Sequence, residues 1–251
     1  MGRDVTTVDL DLDDRVATVW LDRPHRLNAV TPELVADLLT VLDRVAADEN
    51  VGVVVLAGRG RAFCSGHDLK QPPPEQESRR RLEQLQDVTR ALRGLPQPVV
   101  GAVHGYAIGA GAEFALGCDL VVAADDAVFA FPEVGLGLSV TNGASRLLPL
   151  LVGPMRAKEM IMLGEHVDAA TAHAIGLVNK VVPVDALSEH AHSLARSLAE
   201  RPAAALALAK RAVDRGVDGT LDAALELEVS HALITEHTPE VAASKEEFGQ
   251  R

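Results

Sequence analysis

Residues 105–114 read GYAIGAGAEF, three glycines and three alanines crowded around one tyrosine and one isoleucine ahead of a glutamate. The apolar run VVGAV (99–103) precedes the stretch and DLVVAA (119–124) follows it. A strand, a turn nearly bare of side chains and a helix opening near Gly111 fit that order. Such a turn suits either a phosphate group or a carbonyl oxygen, because both seek backbone N–H groups at the positive end of a helix. Spacing separates the two. A P-loop requires GxxxxGK[ST], yet no lysine follows Gly111 before Lys158. A dinucleotide loop requires GxGxxG, whereas Gly105, Gly109 and Gly111 run GxxxGxG. Nucleotide cradling fails, and a donor to a developing oxyanion remains.

One N–H is rarely enough for that task, so a second turn of the same kind is expected. The run VGVVVLAG (51–58), continuously apolar and rich in β-branched residues, reads as a buried parallel strand. It leads into RAFCSGHDLK (61–70), another small-residue turn. The two strand–loop–helix units, starting at Val51 and Val99, look like copies of one element. Spacing alone leaves two readings open, a two-donor clamp on a carbonyl oxygen and a pair of ordinary surface turns.

Outward from these units, VTTVDLDL and VATVWL flank Asp13-Asp14-Arg15 as a β-hairpin. Thr31-Pro32-Glu33 opens a helix, with Thr as cap, Pro at its first position and Leu34, Leu38, Leu42 and Val45 as its apolar stripe. The triplet PPP (72–74) precedes a polar helix over residues 75–93. Its Arg79-Arg80-Arg81 run lies among Glu75, Glu77 and Glu83, the pattern of a solvated face. DLVVAA and AVFAF are strand-like runs split by Asp125-Asp126, and from Asn142 the chain reads as mostly helical. The expected architecture is an α/β core over residues 1–200 and a helical C-terminal region over 201–251, divided near Pro202.

Composition narrows the partners. A net charge of −12 over 251 residues argues against nucleic acid and anionic membrane surfaces, and 3% aromatic residues argue against stacking on bases. Cys64 and Cys118 supply neither a disulfide framework nor metal-ligand spacing. MGRDVTTVDL lacks an apolar signal core and no run is long enough to span a membrane, so the expected compartment is the cytoplasm.

Four segments together carry a family resemblance: LDRPHRLNAVTPEL (21–34), AFCSGHDLK (62–70), HGYAIGAGAEFALGCDLVVAADDAVFAFPEVGLG (104–137) and SRLLPLLVGPMRAKEMIMLGEHVDAATAHAIGLVNKVVP (145–183). In this order they resemble the enoyl-CoA hydratase/isomerase (crotonase) superfamily over nearly the whole chain. The resemblance implies a fold of repeated ββα units and a helical C-terminal region that packs trimers, often paired into hexamers. It implies acyl-CoA thioester chemistry through an enolate, with coenzyme A as part of the substrate and no cofactor or metal.

Residue by residue, the resemblance places the two oxyanion donors at the main-chain N–H groups of His67 and Ala110. The His67 side chain is therefore not the expected catalytic group. The two carboxylates of the family's hydratases fall on Glu113 and on Glu133, in Pro132-Glu133. Each also admits a plainer reading, Glu113 complementing a helix N-terminus and Glu133 capping a turn. Contacts to coenzyme A are implied for Arg23, Arg26, Ala62, Ser65, His67, Asp68, Leu69 and Lys70. The expected reaction is hydration of a 2-enoyl-CoA to a 3-hydroxyacyl-CoA. The alternatives are a double-bond isomerase shuttling a proton on Glu133 and a non-catalytic acyl-CoA-binding protein.

Three departures from the family pattern stand out. Ala110 replaces a common glycine, which a backbone donor tolerates if its φ is negative. GLGLSVTNGASRLLP (135–149) replaces the usual Pro-Gly…Gly-Gly turn, in the segment that shapes the acyl pocket. HTPEVAASKEEFGQR (237–251) lacks the usual basic ending, so a lysine contact to a neighbouring subunit's coenzyme A is not assumed.

Overall fold

The computed structural model describes residues 6–70 and 78–243. Alternating residues form the expected hairpin, β1 (Val8–Asp13) and β2 (Val16–Leu21), antiparallel in the register Val8↔Leu21 to Asp13↔Val16. Asp14 takes the turn with φ 51°. Helix α1 (Pro32–Ala47) begins where Thr31 accepts a hydrogen bond from the Leu34 N–H at 3.2 Å. It buries Leu34, Leu38, Val41, Leu42 and Val45, each contributing about 2 kcal/mol of apolar burial.

Strand β3 (Val53–Gly58) shows why its sequence is apolar throughout. Val54 and Leu56 face the larger core, which holds α1, while Val53, Val55 and Ala57 face a second core. Helix α2 (Ser78–Gly94) follows; the proline triplet and the expected start at residue 75 lie outside the described residues. Then come β4 (Val99–Val103), β5 (Tyr106–Ile108), α3 (Ala110–Gly117), β6 (Leu120–Ala124) and β7 (Val128–Ala130).

The two strand-like runs split by Asp125-Asp126 belong to different sheets. β6 pairs with β4, whereas β7 pairs in parallel with β5. Helices α4 (Ala144–Val152) and α5 (Pro154–Leu163) precede a short strand β8 (Val167–Asp168), helix α6 (Ala169–Ala174) and β9 (Lys180–Val182). The stretch after Asn142 is therefore interrupted by strands that its sequence did not announce. Two and three residues are too few to establish a period of two.

Among the described residues the main sheet runs β1-β2-β3-β4-β6-β9, parallel except for β1, and a smaller sheet runs β5-β7-β8. The units β1–β2–α1, β4–β5–α3 and β6–β7–α4 each repeat two strands and a helix. Helix α7 (Leu187–Ala199) lays Leu187, Ala191 and Ala195 on the second core. After Pro202 come α8 (Ala203–Gly216) and α9 (Leu221–Thr235), which form the helical C-terminal region. Neither buries a single residue, and Leu221 and Val213 are among their exposed apolar side chains. Helix α8 is held instead by polar contacts, above all Lys210 on Asp119 at 2.8 Å.

Candidate active site

The loop after β3 lies along β5 as an extra strand. Cys64 N–H donates to the Tyr106 carbonyl (2.9 Å), and Ile108 N–H donates to the Cys64 carbonyl (3.0 Å). On its other flank Ser65 N–H reaches Leu27 O (3.0 Å), Val30 N–H reaches Gly66 O (2.8 Å) and Asp68 N–H reaches Val30 O (3.0 Å). Asn28, fully buried at φ 54°, ties this segment down by donating to Arg59 O and Ala62 O. The motif LDRPHRLNAV thus serves as the scaffold for the loop.

Not every main-chain donor in this weave is taken up. The His67 N–H has no acceptor among the described residues, and neither has the Ala110 N–H, which opens α3. The two turns touch where these groups lie. A Cβ added to Gly66 would sit 2.7 Å from Ile108 O and 3.8 Å from the Ala110 nitrogen. Ala110 is absent from the residues with positive φ, so its methyl group costs the turn nothing. The helix opens at Ala110, one residue ahead of its expected start.

Burial holds the His67 imidazole below its ordinary pKa, with the positive charge of Arg81 adding to the effect. Arg81 buries its Nε without a partner among the described residues. Sequence reasoning assigned it to a solvated face, and Arg79 does pair there with Glu83 at 2.8 Å. Arg81 lies two residues further along, on another side of the helix, and only tertiary packing reveals that it turns inward.

Of the remaining residues expected at coenzyme A, Arg23, Arg26 and the main chain of Lys70 gather on Asp68. Arg26 donates to both Asp68 oxygens (2.9 and 3.1 Å), Arg23 reaches Oδ2 at 3.5 Å, and the Lys70 N–H reaches Oδ1 at 3.2 Å. Arg23 also donates to Ala29 O. The hydrogen bond from Arg26 is the main cause that holds the Asp68 carboxyl below its usual range. Leu69 is exposed and Ala62 is buried, with Ser65 between them in exposure.

The two glutamates differ sharply. Glu113, in the first turn of α3, is fully buried and accepts three hydrogen bonds: Thr141 N–H (2.5 Å), Thr141 Oγ1 (2.6 Å) and Asn142 Nδ2 (3.0 Å). Glu133 opens a 3-10 turn behind Pro132 and is also buried, yet its Oε2 has no partner among the described residues. Burial pushes its carboxyl above the ordinary range, and the charge of Glu113 pushes further the same way. Beyond it, Val134, Leu136 and Leu138 expose an apolar rim. Among the described residues no three His, Cys, Asp or Glu side chains are placed to hold a metal ion, and no helix is long and apolar enough to cross a membrane.

Comparison with known proteins identifies the family. The profile of the enoyl-CoA hydratase/isomerase family matches residues 11–250. The chain belongs to that family. A 1,2-epoxyphenylacetyl-CoA isomerase of Escherichia coli is 38% identical over 219 residues, covering 85% of this chain and 84% of that protein. A short-chain-enoyl-CoA hydratase of Clostridium acetobutylicum is 34% identical over 228 residues, covering 90% and 87%. The crystal structure of an enoyl-CoA hydratase from Bacillus anthracis superposes with a TM-score of 0.94 at 31% identity, covering 98% of this chain and 96% of that one.

Membership brings acyl-CoA thioesters as the substrate class. Hydratases and an isomerase stand side by side among these relatives, so the family does not by itself choose the reaction. That choice rests on the acid–base groups.

Proposed function

We propose that this protein hydrates a 2-enoyl-CoA to the 3-hydroxyacyl-CoA. The observation that carries the proposal is the pair of buried carboxylates, Glu113 and Glu133, beside two main-chain N–H groups without acceptors among the described residues. In this reading the thioester oxygen accepts from His67 and Ala110. Two preorganised donors stabilise the enolate, and losing one such donor typically costs about 3 kcal/mol of transition-state stabilisation. Water held at Glu113 adds its oxygen to the β-carbon and gives up a proton to that carboxylate, while Glu133 delivers its own proton to the α-carbon. The two transfers sum to the elements of water, and passage of a proton between the carboxylates resets the site. The chemistry so drawn calls on no metal or redox group. Coenzyme A is bound as part of the substrate, its phosphates met by Arg23, Arg26 and Lys70 around the turn Ala62–Lys70. The exposed apolar faces of α8 and α9 fit packing of copies into a homotrimer or hexamer, which light scattering would measure.

A second reading is favoured by one feature. Glu113 is already engaged by three donors, whereas Glu133 has an oxygen without a partner among the described residues, the arrangement of a single-carboxylate double-bond isomerase. Product analysis on 2-enoyl- and 3-enoyl-CoA panels of increasing chain length separates the two. Hydration predicts 3-hydroxyacyl-CoA from the 2-enoyl series. Exclusive interconversion of the 2- and 3-enoyl isomers would establish the second reading. Binding without turnover across both panels would overturn both in favour of an acyl-CoA-binding protein.

A further inference from the structure

The segment SVTNGAS (139–145) departs from the family's glycine-rich turn, and two of its residues reach directly into the site. A carboxylate offers about four acceptor positions. On Glu113 three are taken, one on Oε1 by the Thr141 N–H and two on Oε2 by Thr141 Oγ1 and Asn142 Nδ2. One position on Oε1 is left. The donors are not free to swing away. Asn142 is fully buried, sits at φ 49° and receives Thr89 Oγ1 from α2 on both its main-chain oxygen (3.1 Å) and its Oδ1 (3.3 Å). An ionised carboxylate only accepts, so Glu113 selects Nδ2 as the atom that faces it, which leaves Oδ1 toward the Thr89 hydroxyl. The amide orientation is thereby fixed by a relay from α2 through Asn142 to α3.

We propose that Thr141 and Asn142 are positioning residues that divide the labour between the two glutamates. By filling three acceptor positions they hold Glu113 as a receiver, with one oxygen turned to the water. Glu133 is thereby left as the group that exchanges a proton with the α-carbon. This rests on the hydration reading above. It goes beyond that reading by assigning the choice between adding water and moving a double bond to side chains outside the two glutamates.

The test compares two reactions of one active site. Hydration of the fastest 2-enoyl-CoA requires Glu113 and its water. Exchange of the α-protons of butyryl-CoA in D2O requires only the N–H pair and Glu133. Thr141→Val removes the hydroxyl while keeping shape and main chain. It should lower kcat for hydration about tenfold, the worth of one hydrogen bond to a charged group, with KM and α-proton exchange little changed. Thr141→Ser should restore hydration. Asn142→Gly, which keeps the left-handed backbone and deletes the Nδ2 donor, should repeat the selective loss and serves where Thr141→Val folds poorly.

Wild-type hydration in both Thr141→Val and Asn142→Gly would overturn the proposal. So would equal loss of hydration and exchange in both variants, which marks a merely structural role. A wild-type protein that exchanges α-protons but adds no water would instead overturn the hydration reading, and the division of labour with it.

Discussion

A Cβ placed on Gly109 would lie 2.7 Å from Oε1 of Glu133. The absence of a side chain at residue 109 is therefore what lets the carboxylate rest against the turn that opens α3. Gly109 also holds φ 53° and ψ −122°, a conformation closed to L-residues without strain.

Gly109→Ala should act on both counts. Backbone strain should destabilise the fold by about 1–3 kcal/mol, read from denaturant unfolding. Displacement of Glu133 should lower hydration kcat roughly 100-fold in the fraction that stays folded. Full activity in a folded Gly109→Ala protein would show that the contact does not position the carboxylate.

Glu133→Gln should trade activity for stability. The folded-state pKa of Glu133 is raised by burial, so between the unfolded and folded pKa values the native protein binds the extra proton. Wild-type stability therefore falls as pH rises through the folded pKa. The glutamine variant lacks this titration. Its melting temperature should exceed that of wild type above the folded pKa, and the gap should close below the ordinary glutamate range. Hydration should be abolished while thioester binding, followed by calorimetry, is retained.

Both thiols should be silent in the native state. Burial pushes Cys64 up to about 12 and raises Cys118 as well, and neither is in a disulfide. At pH 8 a thiol-specific reagent should label neither cysteine until denaturant is added, and then both. Rapid labelling of the folded protein would contradict the tight seating of the loop at Cys64.

Lys210→Met should loosen α8. The ammonium meets Asp119 at 2.8 Å and the carbonyls of Leu92 and Gln97 at 3.1 Å each, which uses all three of its donors. Removing it leaves the largely covered Asp119 with the Val99 N–H as its remaining partner among the described residues, at 2.7 Å. Burial already holds that carboxyl above its usual range despite the pull of Lys210. Breaking the pair should cost about 3–5 kcal/mol and speed proteolysis between α7 and α8.

Much of this was legible because local chemistry and tertiary structure agree. VGVVVLAG is apolar on both faces because both are covered, and Thr31-Pro32 caps the helix it announces. The bare turn GYAIGAGAEF admitted a close approach of two main chains beside the plainer reading of a surface turn, and spacing alone did not choose between them. Other parts were hidden for physical reasons. Asn142 looks like a turn residue, and its contact with Glu113 spans 29 residues of chain. Arg81 differs from Arg79 by only two positions, so charge pattern alone cannot tell which one turns inward. The strand Lys180–Val182 is read only through its neighbour β6.

The loop at Cys64 is bonded along both edges, to Leu27 and Val30 on one side and to Tyr106 and Ile108 on the other. The N–H groups of His67 and Ala110, without acceptors among the described residues, thus ride on a single ladder. Their gap should behave as a caliper with locked jaws, since changing the setting means breaking several bonds together. Warming should leave that spacing unaltered until the sheet itself gives way, so function and fold should be lost at one temperature.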